Sequence, residues 1–302
     1  MIYEVEPILN YRIWGGNKLK EYFNKQEIQK PIGEVFLVSS MPNAECRING
    51  MDFNDFYNKY PEYFDLSYAR FPLRINLIDA QDDLSIQLHP RKAEIGNKHL
   101  ANGIEEAWYI VDSQVNSELV LGIKTKDHNK AEELIRKNQC AKLLNRQKAN
   151  SGTFVFLPAG VVHAISKGCL VYEVTYNIDI TYRLFDYDRV DSITQKPRSL
   201  HIEEGLADLN LANDCRCVES GEDNITGLID QDEGFKIEKI ICRDRLEIEQ
   251  DSFYFYTIIK GEGMIEDKQA KNFATYFVDR KQKTVSLKGN MELIRVTFKE
   301  KK

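Results

Sequence analysis

Apolar residues in this chain fall in runs of four to eight, rich in Val, Ile, Tyr and Phe and cut off by Gly, Pro, Asn or Asp. That punctuation predicts strands, because a helix needs a longer stretch with apolar positions three and four apart. Strands are expected at Gly33–Ser39, Leu73–Ile78, Leu84–Leu88, Ala107–Val111, Glu118–Ile123, Thr153–Leu157 and Cys169–Thr175. Further on they are expected at Phe235–Cys242, Phe253–Ile259, Phe273–Val278 and Glu292–Phe298, with a turn at Lys260-Gly-Glu-Gly263. Lys126–Lys148 breaks the pattern: Ala131, Leu134, Ile135, Leu143 and Leu144 stand at roughly helical spacing among charged residues, which predicts one or two amphipathic helices. Met51–Tyr63 and Arg198–Asn210 are expected to be short helices. The sum is a mainly β protein, an antiparallel barrel or sandwich followed by a second, smaller β domain. The expected division is 1–125 and 149–213 for the first barrel, 126–148 for a helical insertion, and 214–302 for the second domain.

Composition narrows the partners. The 302 residues carry 41 basic and 47 acidic side chains, a net charge of −6 with both signs dispersed. Nothing there attracts nucleic acid or an anionic membrane. No apolar run approaches the roughly 20 residues needed to span a bilayer, and the start of the chain does not resemble a signal peptide. Six cysteines without C-x-x-C spacing fit reduced thiols and a cytoplasmic, soluble protein. No Gly-rich phosphate loop follows a strand, which removes the Rossmann and P-loop readings.

Five histidines remain, and two fall in a pattern. Leu84-Ser-Ile-Gln-Leu-His-Pro90 sets Gln87 and His89 two apart on a strand, facing the same side. Gly152-Thr-Phe-Val-Phe-Leu-Pro-Ala-Gly-Val-Val-His163 has the spacing G-x5-P-x-G-x2-H, a turn between strands that delivers His163 to the interior. It resembles the second signature of the cupin superfamily, whose double-stranded β-helix, or jelly-roll, barrel is therefore the expected fold. Gln87, His89, Glu106 and His163 make a coherent shell for one divalent ion: two imidazoles, one carboxylate and one amide oxygen, with positions left for water or substrate. His99, His128 and His201 stand in polar surroundings and are expected at the solvated surface.

Five segments are then more specific: Phe71-Pro-Leu-Arg-Ile-Asn-Leu-Ile-Asp79, Ser85-Ile-Gln-Leu-His-Pro90, Glu106-Ala-Trp-Tyr109, Phe156-Leu-Pro-Ala-Gly-Val-Val-His163 and Asp179-Ile-Thr-Tyr-Arg-Leu-Phe-Asp-Tyr-Asp-Arg189. In this order they resemble the short bacterial form of the type I mannose-6-phosphate isomerase family, as do Trp14-Gly-Gly16 and Gly33-Glu34. The resemblance implies a metal, usually zinc and one ion per chain, on Gln87, His89, Glu106 and His163. It implies exchange of mannose 6-phosphate with fructose 6-phosphate through a cis-enediol, with Glu173 moving the proton, Arg183 stabilising the enediolate and Asp179 nearby. Ser85 and Arg189 match residues at the phosphate end. Two family lysines are replaced by Asn76 and Ile104, and Arg74, facing the same side as Asn76, is the expected substitute. Those two losses favour the competing reading, a relative that binds sugar without turning it over. An oxygen-using cupin is the weaker third reading, since Gln87 takes the place of a histidine. Only a small-molecule partner is expected, for a monomer or homodimer.

Overall fold

The computed structural model describes residues 1–96, 98–229 and 234–300. Three large antiparallel sheets dominate, of ten, seven and five strands, and the seven-stranded one is the central layer. Its inner strands, Glu106–Ser113, Cys169–Tyr176, Leu73–Asp79 and Ile32–Val38, lie side by side and are buried on both faces. That double burial is why these segments read as nearly continuous apolar runs.

Alternation along each strand sorts the two faces. Leu73, Ile75 and Leu77, Tyr109, Leu170, Tyr172 and Val174 face the ten-stranded sheet and share its apolar cluster. Ile78, Trp108, Ile110, Cys169 and Val171 face the five-stranded sheet and pack there with Leu119, Leu121 and Ile165. The second interface is the interior of the jelly-roll, and it holds the site described below. Behind the five-stranded sheet, Ile86 and Leu88 pack outward on Ala131 and Ile135 of helix His128–Arg136. That helix is capped by Asp127, whose Oδ1 accepts the Asn129 and Lys130 amides at 2.9 and 3.3 Å.

Strand pairing crosses the boundary expected near Asp214 in both directions. Ile2–Glu6 pairs with Thr275–Val278 in the ten-stranded sheet, and Arg216–Glu219 adds to Thr153–Leu157 at the edge of the seven-stranded one. The expected insertion 126–148 is helical only in its first part: after the helix and a short 3-10 turn at Cys140–Lys142, Leu144–Lys148 is a strand on Glu118–Ile123. Only Leu144 of that strand is buried, so its remaining polar residues satisfy their backbone in the ladder rather than in a helix. The turn expected at Lys260–Gly263 is instead an irregularity inside the single strand Tyr254–Ile265. Gly261 takes φ +82° there, and a Cβ at that position would meet Asn290 O at 2.2 Å. A short helix, Lys18–Tyr22, follows Trp14-Gly-Gly16, a position where the apolar spacing predicts none. Among the described residues no helix is long and apolar enough to cross a membrane, and all six cysteines are free thiols.

Aromatic rings lock the segment 53–71 to the strands around Phe253 and Phe277. Phe64 contacts the rings of Phe53, Phe56, Tyr57 and Phe71 on one side and of Phe253 and Phe277 on the other, with centroids 4.7–6.4 Å apart. Phe64→Ala is expected to cost about 3–5 kcal/mol, read as a lowered urea midpoint, because the rigid rings around it cannot close the cavity.

Candidate metal centre and substrate cavity

Two rows of side chains face each other across the jelly-roll interior. On the central sheet the register sets Trp108 opposite Glu173 and Glu173 opposite Asn76, one row across three strands. Hydrogen bonds run along it: Trp108 Nε1 donates to Glu173 Oε1 at 3.1 Å, and Asn76 Nδ2 donates to Glu173 Oε2 at 2.6 Å. On the five-stranded sheet His163 and Arg183 lie on either side of Gln87. His163 reaches its place because Gly160, at φ +78°, turns the chain and donates its amide to the His89 carbonyl at 2.8 Å. A Cβ on residue 160 would meet Asp208 O at 2.3 Å, so the turn admits no other residue.

His89, Glu106 and His163 are buried and bring one donor atom each to within 4.8 Å of one another. His89 Nε2 lies 2.7 Å from Glu106 Oε1 yet lacks the alignment of a hydrogen bond and has no other such partner. His163 Nε2 stands 3.6 Å from Glu106 Oε2. The far ring nitrogens fix both tautomers, because each faces a carbonyl that only accepts: His89 Nδ1 donates to Ile180 O at 2.7 Å and His163 Nδ1 to Val161 O at 2.9 Å. Both Nε2 atoms therefore present lone pairs to the carboxylate when the rings are neutral. That arrangement is repulsive by itself and fits a cation between them. Gln87 is adjacent, with its Nε2 3.4 Å from His163 Nε2 and its Oε1 accepting from Ser85 Oγ at 2.9 Å. Its oxygen thus joins this donor set after a half-turn of the amide.

Electrostatics follow from burial. Desolvation lowers His163 to about 4, with His89 adding to the effect, which keeps it neutral and able to ligate. Desolvation is the largest effect on His89 and acts in the same sense, but the Glu106 charge and contact, the Ile180 carbonyl and the Glu173 charge together outweigh it and raise His89, while His89 in turn holds Glu106 down. Metal binding would displace the proton from this pair. Glu173 is raised to about 8, first by burial and then by the charges of Glu106 and Glu34, against Arg74 and the Asn76 hydrogen bond. No arginine pairs with it among the described residues.

A cavity of about 320 Å³ opens from the metal-binding group, lined by Ser85, Gln87, Glu173, Asp179 and four arginines: Arg12, Arg74, Arg183 and Arg198. Arg74 shares the face of Asn76 and Ile78, lies 5.3 Å from the Phe36 ring centroid, and keeps a buried Nε without a partner. Arg183 is not ion-paired with Asp186, which Arg189 and Arg198 occupy instead, and its buried Nε is also unpartnered. Arg189, expected at the phosphate end, does not line the cavity. Its guanidinium donates to Asp186 Oδ1 at 2.6 Å and to the Asp83 and Asp186 carbonyls, which leaves it anchored in the wall. Ile104 is buried in the apolar cluster below the central sheet and brings no polar group to the site. His99 and His128 are exposed as expected. His201 is half-buried instead, and its Nδ1 accepts the Arg183 amide at 3.2 Å, bracing that strand.

Sequence patterns did not single out Arg12, Trp108 or Arg198. Trp108 lay inside the quoted Glu106-Ala-Trp-Tyr109 segment, and alternation with Glu106 was the available signal. Arg12 is tied to Glu34 at 2.6 Å, a contact between strands that no local spacing announces.

The catalytic domain of type I phosphomannose isomerase matches residues 2–126. YvyI of Bacillus subtilis (strain 168) is 29% identical over 304 residues, 95% of this chain and 96% of that one. Mannose-6-phosphate isomerase ManA of the same organism is 31% identical over 271 residues, 85% of each chain. A crystal structure of mannose 6-phosphate isomerase from Bacillus subtilis superposes with a TM-score of 0.85 at 26% identity, covering 98% of this chain and 99% of that one. A mannose 6-phosphate isomerase bound with zinc and yttrium shares the fold, with a TM-score of 0.73 at 16% identity over 99% of this chain and all of that one. Over this length and identity, and with a buried His–Glu–His group that could hold a metal ion inside its barrel, the chain belongs to the type I mannose-6-phosphate isomerase family.

Proposed function

We propose that this protein interconverts mannose 6-phosphate and fructose 6-phosphate, moving a proton between C1 and C2 through a cis-enediol. The observation that carries the reading is the buried His89–Glu106–His163 group sharing one cavity with a basic carboxylate, Glu173, and an unpaired guanidinium, Arg183. His89, Glu106, His163 and Gln87 would hold one divalent ion, zinc in our reading. When bound, it supplies a Lewis acid for an oxygen of the substrate.

The remaining work falls to the chain's own residues. Glu173 Oε1 or Oε2 would take the weakly acidic C–H proton and return it to the neighbouring carbon. Its raised pKa makes it a stronger base than an exposed carboxylate. Trp108 Nε1 bridges Glu106 Oε2 at 3.2 Å and Glu173 Oε1 at 3.1 Å, so one indole fixes the distance between ligand and base. Arg183 would stabilise the negative charge of the enediolate; burial and then the Arg198 charge lower its pKa, against Asp186 and against Asp179 at the cavity mouth. Ser85 is assigned to the phosphate, with Arg74 a further cation in the same cavity and Arg189 holding Asp186 rather than touching substrate. The chain acts in our reading as a cytoplasmic monomer or homodimer, on a small-molecule substrate.

Metal-replete protein incubated with mannose 6-phosphate in deuterated water is expected to form the ketose and to leave deuterium at C2 of recovered aldose. Bound sugar phosphate with neither product nor exchange would overturn the reading and leave a sugar-binding protein.

A further inference from the structure

The phosphate end of this cavity lacks the two lysines, and the structure offers another cation in their place. Arg198 lines the cavity but lies outside every strand and helix. Asp186 holds it by two contacts, Nε to Oδ2 at 2.8 Å and Nη2 to Oδ1 at 2.5 Å. Its Nη1 has no protein acceptor among the described residues. The same Asp186 Oδ1 also accepts from Arg189 Nη2 at 2.6 Å, and Arg189 is itself anchored on the Asp83 carbonyl at 2.5 Å. One carboxylate between two guanidiniums leaves a net positive charge, and Arg183 adds a second one without an ion-pair partner. Two like charges held at one cavity wall, each with an unused N–H, describe a site for a dianion.

Position agrees with charge. The strands Ile86–Leu88 and Tyr182–Phe185 are antiparallel, with Arg183 opposite Gln87 and Phe185 opposite Ile86. Asp186 and Arg198 consequently stand at the Ser85 end of the strand, and the metal-binding group at its His89 end. The four residue steps from Ser85 to His89 span roughly 13 Å of strand. A six-carbon sugar phosphate has its reacting C1–C2 end and its phosphate at opposite ends of an extended molecule, and this cavity has its Lewis-acid group and its cation seat arranged the same way. Arg183 lies between the two, where the enediolate would be.

We propose that Arg198, oriented by Asp186 and backed by Arg189, is the phosphate-binding residue of this chain, with Ser85 as its neighbour. The assignment of phosphate as the anion rests on the isomerase reading above. The dianion seat itself rests on the geometry alone.

The test measures two quantities on Arg198→Gln and Arg198→Lys: KM and kcat for mannose 6-phosphate with the metal-loaded enzyme, and calorimetric affinity of the metal-free protein for inorganic phosphate. Arg198→Gln is expected to raise both KM and the phosphate Kd roughly 10- to 100-fold, the loss of a charge-assisted contact, with kcat within a few-fold of wild type. Arg198→Lys, which keeps the charge without the two-point hold on Asp186, should fall between. Asp186 retains Arg189 in both variants, and an unchanged melting temperature verifies the fold. Unchanged KM and Kd overturn the proposal, as does a fall in kcat with KM unmoved. A wild type that binds phosphate through Arg198 yet turns over no mannose 6-phosphate would sink the isomerase reading and leave the seat. Turnover that is indifferent to Arg198 would do the reverse.

Discussion

Glu173→Gln is expected to lower kcat for mannose 6-phosphate roughly 10²- to 10⁴-fold, the range of a positioned acid–base group, with KM and bound metal unchanged. Deuterium incorporation at C2 should disappear in parallel, because the other carboxyls lining the cavity are engaged or exposed: Glu34 pairs with Arg12 at 2.6 Å, and Asp191 Oδ1 accepts the Ile193 and Thr194 amides. Glu106 points at His89 and His163, and Asp179 sits exposed at the mouth. The same substitution has a second readout that does not depend on turnover. A carboxyl raised to about 8 by burial contributes stability that is complete below its ordinary value near 4.5 and is lost as the pH rises through 8. Metal-free wild type should therefore lose stability to urea between pH 5 and pH 8.5, and Glu173→Gln should show a flatter profile. A variant that keeps both its turnover and the wild-type slope would remove Glu173 from the mechanism.

The features of this site that were legible in the sequence are those fixed locally. Gln87 and His89 are two apart, and the Pro158–Gly160 turn sits three residues before His163, so strand period and turn chemistry suffice to bring them to one interior. Alternation within Leu73–Asp79 also gives the shared face of Arg74 and Asn76, which the structure bears out as the face opposite Leu73, Ile75 and Leu77. What was illegible depends on partners far along the chain. Trp108 acquires its role from Glu173, 65 residues on, and Arg198 from Asp186 across a loop that resembles the start of a helix. The helix there begins only at Ile202, because the chain from Val190 to His201 is spent on turns and on bracing Arg183. The pairing across Asp214 was illegible for the same reason: Ile2–Glu6 has ordinary strand composition, and nothing within it says that its partner is Thr275–Val278. Asn76 is the instructive case, since a loss of charge read from the sequence becomes, in the structure, a 2.6 Å hydrogen bond to the proposed base.

Removal of the metal is expected to abolish turnover while the protein stays folded, with a drop in melting temperature of a few degrees. The reason lies in how the empty group balances itself. Glu106 raises the pKa of His89, which favours a cationic partner for the buried carboxylate, and Trp108 Nε1 donates to its other oxygen. The Glu106 charge is therefore not left isolated, and the apolar interface around Trp108, Ile110 and Val171 needs no ion to form. This balance separates the two histidines. His163→Ala should abolish metal uptake and turnover at a moderate cost in metal-free stability, because that ring is neutral and what is lost is its hydrogen bond to Val161 O and its packing on Trp108 and His89, with centroids 5.6 and 5.0 Å away. His89→Ala removes the cation that Glu106 depends on and should cost the metal-free protein about 3–5 kcal/mol, the usual penalty for orphaning one member of a buried pair. Urea unfolding of both variants with and without chelator, alongside metal content, reads the difference. Equal losses of stability would mean that His89 carries no charge without the metal, and global unfolding of wild type on chelation would mean that the ion holds the barrel together rather than serving the reaction.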